Sequence, residues 1–199
     1  MILLVNGPNL NLLGEREPDV YGRETLADVE RMVSEACAGY GLEVKAFQSN
    51  WEGALLDFLQ EYRHVAQGVI LNPGALTHTS RALGDCLRAL PCPAVEVHIS
   101  NVHGREEWRR QSLVAPATAG QIVGLGVAGY YYAALHLCGL AAARAARDTT
   151  ASAAPGAPTP REQLHALTEA QRNAPPGGIQ AEGEPIPVDL GARGDYEPL

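Results

Sequence analysis

Five short apolar runs, spaced along the first two thirds of the chain and separated by stretches of helical period, restrict the architecture more than any other feature. Residues 2–5 (ILLV) and 68–71 (GVIL) are apolar at every position. A strand with one wet face alternates, so unbroken runs of this length suit strands covered on both sides. Between them, Thr25 can cap a helix running to about residue 40, with Asp28 three residues on and Gly41 as the stop. Residues 42–47 alternate as a second strand. The stretch Ser49 to Glu52 reads as a capping box opening a helix through Leu55, Leu56, Phe58 and Leu59. Asn72, Pro73 and Gly74 end the third strand, and a helix follows over 79–90. Pro93 precedes a fourth strand at 94–99, residues 105–110 suit a short helix, residues 121–125 a fifth strand, and 130–147 an alanine-rich last helix.

Strands alternating with helices predict an α/β fold with one parallel sheet covered on both faces. Right-handed crossovers leave few topologies, and the flavodoxin-like three-layer sandwich with strand order 2-1-3-4-5 is the usual five-stranded one. Its order reverses between strands one and three, so ligands bind beyond the carboxyl ends of those strands. The long polar connection at 6–22 (NGPNLNLLGEREPDVYG) must hang over that crevice, facing Asn72.

The character of the chain changes at about residue 148. Eight of the 14 prolines lie in 148–199, with a single aromatic, Tyr196. A segment of this composition buries too little to offset its ordering entropy, so 1–147 is expected to be the folded domain and 148–199 a mostly disordered acidic tail with a short helix at 161–173. The first part carries 15 acidic and 12 basic side chains, the tail 8 and 3. Neither has the basic stripe that nucleic acid or an anionic membrane requires. Cys37, Cys86, Cys92 and Cys138 show no metal or redox spacing, and Cys37, Cys86 and Cys138, in apolar helix-like stretches, are expected as buried free thiols. With no apolar leader after Met1 and no run of membrane-span length, a reduced cytoplasm is expected.

Among residues that can carry chemistry, Tyr21 has an ordinary pKa near ~10 and becomes a base only where cations favour the phenolate. Arg16 is close in sequence, and Arg105 and Arg109 follow the fourth strand; four residues apart, they share a face if 105–110 is helical. A loop tyrosine also serves as a packing anchor. Glu96 and His98 alternate onto one face at the end of strand four, where the carboxylate orients the imidazole and favours its protonated form, as suits a general acid. The same pattern serves a satisfied histidine at a strand end. Asn9 and Asn72 stand at the ends of strands one and three, able to hold water or an oxyanion, or simply to turn the chain. Ile99 and Ser100 offer backbone N–H groups to an anionic carboxylate. His78, His98 and His103 crowd one rim, yet none has the spacing of a metal site, so no metal is expected. His64 and His136 read as surface or helix-face residues, Asp85 as a helix-surface acid, and Tyr130, Tyr131 and Tyr132 as packing, with a subunit contact as one use.

These blocks together resemble one family. NGPNLNLLG at 6–14, REP at 16–18, YG at 21–22, FQSN at 47–50, NPGALTHTS at 72–80, EVHISNVH at 96–103 and GQIVGLG at 120–126 are similar, in order and register, to type II 3-dehydroquinate dehydratase. The resemblance spans about residues 1–140. It implies a flavodoxin-like fold, a dodecamer built from trimers, and reversible dehydration of 3-dehydroquinate to 3-dehydroshikimate without metal, cofactor or Schiff base. At matching positions it implies Tyr21 as base and Arg16, aided by Arg105, as the group favouring the tyrosinate. It implies His98 as acid, oriented by Glu96, and a water near Asn9 stabilising the enolate. Asn72, Ile99 and Ser100 would bind the substrate carboxylate, His78 and Arg109 its ring hydroxyls, and Asp85 would reach in from a neighbouring subunit. The 6–22 loop becomes a lid. One position departs: the family commonly has histidine where Trp51 stands, for which altered local packing and unchanged activity are expected.

Two other classes compete. A flavin-binding module needs hydroxyl residues after strand one, and a receiver needs clustered acids at the ends of strands one and three, where Asn6, Asn9 and Asn72 stand instead. A silent scaffold would not need Tyr21, Arg16, His98 and Glu96 together. The reaction also serves either aromatic biosynthesis or quinate breakdown.

Overall fold

The structure, a computed structural model, describes residues 1–15 and 24–153. The expected base Tyr21, its partner Arg16, and the segment from residue 154 with its expected short helix lie outside the described residues. Strands β1 (Ile2–Asn6), β2 (Val44–Gln48), β3 (Gly68–Asn72), β4 (Ala94–His98) and β5 (Gly120–Val123) form one parallel sheet of order β2-β1-β3-β4-β5. Among the described residues, four α-helices cover it: α1 (Leu26–Ala38), α2 (Glu52–Glu61), α3 (Arg81–Arg88) and α4 (Ala128–Ala153). The flavodoxin-like α/β arrangement expected from the alternation is what the chain adopts.

The pleat divides the apolar strands between two cores. Ile2 and Leu4 point to one face, with Ile70, Val95 and Val97, and pack against Val29 and Val33 of α1 and Leu137 of α4. Leu3 and Val5 point to the other, with Val69 and Leu71, and meet Leu55 and Leu59 of α2 and Leu83 and Leu87 of α3. Alternation at period 2 thus feeds two layers from one unbroken apolar run. The four cysteines are buried and free, and Cys37 and Cys138 bring their sulfurs to 3.4 Å between α1 and α4.

Local signals held where they were reciprocal. Thr25 accepts from the Asp28 backbone while Asp28 accepts from the Thr25 backbone, a complete capping box at the start of α1. The box expected at Ser49 is absent: Trp51 is the N-cap of α2 without side-chain capping, and Ser49 Oγ instead accepts from the Trp51 N–H at 3.0 Å. A serine bonded two residues ahead forms a turn that competes with capping. The Trp51 side chain itself is 79% exposed. Residues 105–110 do not form a helix carrying both arginines; only a 3-10 turn at Glu107–Arg110 is present, leaving Arg105 outside it. The last helix runs six residues past Arg147 to Ala153 because nothing between Asp148 and Pro155 breaks it. Among the described residues, no helix is long and apolar enough to cross a membrane.

The ends of β1 and β3 touch. Gly7 donates its N–H to the Asn72 carbonyl at 2.8 Å, and a Cβ on Gly7 would collide with the carbonyl of Pro73. Gly74 has φ 57°, and its own absent Cβ would stand 3.0 Å from the Pro8 carbonyl. These two glycines let the loops close on each other where the sheet order reverses. Gly7→Ala is therefore expected to lower unfolding stability by about 1–3 kcal/mol, the usual cost of forcing atoms into a packed contact, as read from urea denaturation. A variant as stable as the parent would show that the two loops can separate at no cost.

Candidate active site

Beyond the carboxyl ends of β1, β3 and β4 lie two adjoining cavities that share Leu10 and Arg109. The first, over the β1 turn, is lined by Pro8, Asn9, Leu12 and Ala75. The second holds the polar groups: Asn72, His78, His98, Ser100 and Arg105 line it, with Ile99 beside them. This is the crevice the topology requires.

His98 and Glu96 meet as their alternation predicts. His98 Nε2 lies 2.7 Å from Glu96 Oε1, with the imidazole 6% exposed and the carboxylate fully buried. A buried carboxylate must be surrounded by donors, and Glu96 is. Gln121 Nε2 donates to Oε2 at 2.6 Å from the facing register position on β5. The Thr77 hydroxyl donates to Oε1, and Ser112 Oγ lies 3.1 Å from Oε2 and 2.8 Å from Thr77 Oγ1. Ser112 is held in turn by the backbone N–H groups of Val114 and Ala115. Burial alone pushes the Glu96 carboxyl up, but the His98, Thr77 and Gln121 donors together outweigh it and hold it below the usual carboxylate range. Glu96 is thus an anion at working pH. Since an anion only accepts, the His98 nitrogen facing it carries a proton, which leaves Nδ1 as the atom for proton exchange.

Sequence reasoning missed Thr77, Ser112 and Gln121. Thr77 and Gln121 sit inside the motifs NPGALTHTS and GQIVGLG, but no pattern within one segment indicates that three segments converge on one carboxylate.

The arginines form a second cluster. Arg109 Nε donates to Glu106 Oε2 at 2.6 Å, and Arg105 Nε lies 3.6 Å from the same oxygen. The two therefore meet through a shared acid and not through a common helix face. Arg105 also donates to Ser100 Oγ at 3.3 Å. Trp108 supports Arg109, whose guanidinium carbon lies 4.1 Å from the indole centroid, and the His78 ring meets the indole edge-on at 5.0 Å. Because the Gln111 carbonyl only accepts, His78 Nδ1 donates to it at 2.7 Å.

Asn9 adopts φ 69°, a left-handed conformation asparagine tolerates. Its N–H donates to Asn50 Oδ1 at 2.9 Å, and Gln48 Nε2 braces the same turn through the Gly7 carbonyl at 3.2 Å. Gln48 and Asn50 were visible only as part of FQSN; their service to the β1 turn needs the β1–β2 pairing. Asn72 is almost wholly buried, accepts from the Gly74 N–H at 3.1 Å and donates to the Tyr130 hydroxyl at 2.8 Å. Asp85 lies on the exposed side of α3, paired with Arg88, and lines neither cavity within this chain. His103 is exposed on a 3-10 turn and lines neither cavity, so the three-histidine rim reduces to His78 and His98. No three metal-binding side chains cluster among the described residues.

The arrangement joins a histidine backed by an anionic carboxylate, a pair of guanidinium groups and an oriented amide around one small polar cavity. Such a set can donate a proton to a leaving oxygen while binding an anion. Comparisons with known proteins agree in kind. The family model described as dehydroquinase class II matches residues 1–138. A 3-dehydroquinate dehydratase of Variovorax paradoxus is 57% identical over 137 residues, covering 66% of this chain and 94% of that protein. A protein of Penicillium rubens named catabolic 3-dehydroquinase is 54% identical over 137 residues, covering 69% of this chain and 88% of its own. Among solved structures, the type II dehydroquinase from Butyrivibrio crossotus superposes with a TM-score of 0.66 at 46% identity, over 68% of this chain and 95% of that one.

Proposed function

The chain belongs to the class II dehydroquinase family, and on that premise we propose that its cleft dehydrates 3-dehydroquinate by anti elimination through an enolate. The activity is that of a 3-dehydroquinate dehydratase, a carbon–oxygen lyase. Tyr21, as phenolate, takes a proton from the carbon beside the ketone, and the guanidinium of Arg16, assisted by Arg105, favours that phenolate. A water held near Asn9 stabilises the enolate oxygen. His98 then protonates the departing hydroxyl, and between turnovers the phenol of Tyr21 gives its proton to solvent while His98 takes one back. Asn72 and the backbone of Ile99 and Ser100 bind the carboxylate, His78 and Arg109 the ring hydroxyls. The reaction is balanced without an added oxidant or metal: one C–H and one C–O bond break, one C=C bond forms, and water leaves.

The observation that carries this reading is the buried Glu96 anion against His98, opening on a cavity rimmed by Arg105 and Arg109. General acid catalysis needs a proton donor aimed where the leaving hydroxyl will sit, and an anion fixed behind the ring orients it. Incubating the protein with 3-dehydroquinate and following the ultraviolet absorbance of the conjugated enone tests the proposal. No rise in absorbance would overturn it.

We place the reaction in the shikimate pathway of aromatic biosynthesis. The 54% identity to a relative named catabolic gives quinate breakdown a specific footing as the second reading. Rescue of a dehydratase-deficient bacterium on medium lacking aromatic amino acids supports the first; rescue only of growth on quinate supports the second.

We assign catalysis to residues 1–147, as subunits of a dodecamer of trimers in which Asp85 reaches a neighbouring cleft. Among the described residues, the last buried one of α4 is Ala141. Truncation after Arg147 is expected to leave turnover within about twofold and the thermal midpoint almost unchanged, since exposed positions away from special contacts contribute little. Loss of assembly in size-exclusion chromatography would show that the removed segment is structural.

A further inference from the structure

Tyr130 opens a run of three tyrosines, but its neighbours Tyr131 and Tyr132 are 38% and 50% exposed while Tyr130 is fully buried. Its ring belongs to the core between the sheet and α4. Its hydroxyl reaches the ends of β1 and β3, where Asn6 and Asn72 are register partners. Packing needs only the ring; the hydroxyl makes two hydrogen bonds, and their directions can be worked out.

The Gly74 N–H can only donate, so the Asn72 atom it meets at 3.1 Å is the amide oxygen. The amide nitrogen of Asn72 then faces Tyr130 and donates to the hydroxyl oxygen at 2.8 Å. The single phenol proton goes on to Asn6 Oδ1 at 2.7 Å. Burial pushes the Tyr130 phenol well above the ordinary tyrosine range, so it stays neutral and keeps that proton. Asn6 Nδ2 is buried with no hydrogen-bond partner among the described residues, so the phenol is the polar contact that holds the Asn6 side chain. Asn72 is gripped at both ends, and the second hydrogen on its nitrogen remains to be given. Asn72 lines the cavity that holds His98 and Arg105.

We propose that Tyr130 is a positioning residue for substrate binding, its hydroxyl fixing the Asn72 amide so that the remaining N–H meets the substrate carboxylate. The inference rests on the proposed function and extends it to a side chain on α4 that lines neither cavity. A fixed donor avoids the ordering cost that a free amide pays on binding. Without the hydroxyl, Asn72 keeps its Gly74 bond but is free to swing about it.

Steady-state kinetics of the full-length enzyme with 3-dehydroquinate, on Tyr130→Phe, Asn72→Ala and the double variant, test this. Tyr130→Phe keeps the ring and is expected to raise KM about five- to tenfold, the scale of one oriented hydrogen bond, with kcat within about twofold. Asn72→Ala is expected to raise KM at least as far, and the double variant no further than Asn72→Ala alone, because the hydroxyl acts through the amide. An unchanged KM with a lowered thermal midpoint would make Tyr130 a packing residue only, and multiplying effects in the double variant would overturn the route through Asn72. Should Tyr130→Phe fail to fold, Asn6→Ala removes only the acceptor of the phenol proton. It is expected to raise KM in the same direction and again to add nothing to Asn72→Ala; an unchanged KM there also overturns the proposal. Absence of turnover in the wild type sinks the functional reading and this inference together, whereas normal wild-type turnover with an unaffected Tyr130→Phe sinks this inference alone.

Discussion

His98→Ala is expected to lower kcat by about 10²–10⁴-fold, the range over which a positioned general acid contributes. The effect should fall on kcat and leave substrate affinity nearly intact, because a proton donated to the leaving hydroxyl counts mainly in the transition state. The structure explains why no neighbour replaces it. Glu96 is an anion committed to four donor side chains and has no proton to lend. His78 spends its Nδ1–H on the Gln111 carbonyl. The measurement is stopped-flow or steady-state enone absorbance beside a binding titration with a substrate analogue. A variant with near-parental kcat would remove histidine from the acid role.

Tyr21→Phe is the second change with a large effect. It should reduce turnover by a comparable ~10²–10⁴-fold, since phenylalanine keeps the ring and removes the basic oxygen. Folding should survive, as read by circular dichroism and the thermal midpoint. Arg16→Lys offers a finer control: lysine retains a positive charge but not the planar fork, so a partial loss of rate, with the alkaline dependence of activity altered, is expected if the guanidinium favours the phenolate. An active Tyr21→Phe protein would require a different base altogether. The two deletions should also combine non-additively, because base and acid act on one elimination and removing either leaves the other little to accelerate.

Supporting groups should show smaller, graded effects, and the hydrogen-bond pattern says where. Thr77, Ser112 and Gln121 bond to Glu96, which in turn bonds to His98, so their influence on rate is indirect. A buried polar network of this kind is worth more whole than its separate parts, because each lost donor leaves a charge less compensated. The arginine cluster is different in kind. Glu106 is exposed and held below the usual carboxylate range first by its hydrogen bond from Arg109, so it aims the guanidinium groups while solvent screens the charge.

Short-range chemistry by itself determined the layered α/β architecture, the five strands, the Thr25–Asp28 cap and the Glu96–His98 pair. Each of those depends on a spacing of two to four residues, which the backbone geometry of strand or helix converts directly into contact. The motif resemblance implied the reaction and most of the proposed site, including Tyr21 and Arg16, which lie outside the described residues. What only the tertiary structure decided was which distant groups meet. Gln121 faces Glu96 through the β4–β5 register, Glu106 joins Arg105 and Arg109 where a helix was expected, Ser49 forms a turn instead of a cap, and the Tyr130 hydroxyl ties β1 to β3 from α4. Periodicity tells which face a side chain leaves from; it carries no information about the partner on another element, because that depends on register and packing summed over the whole sheet.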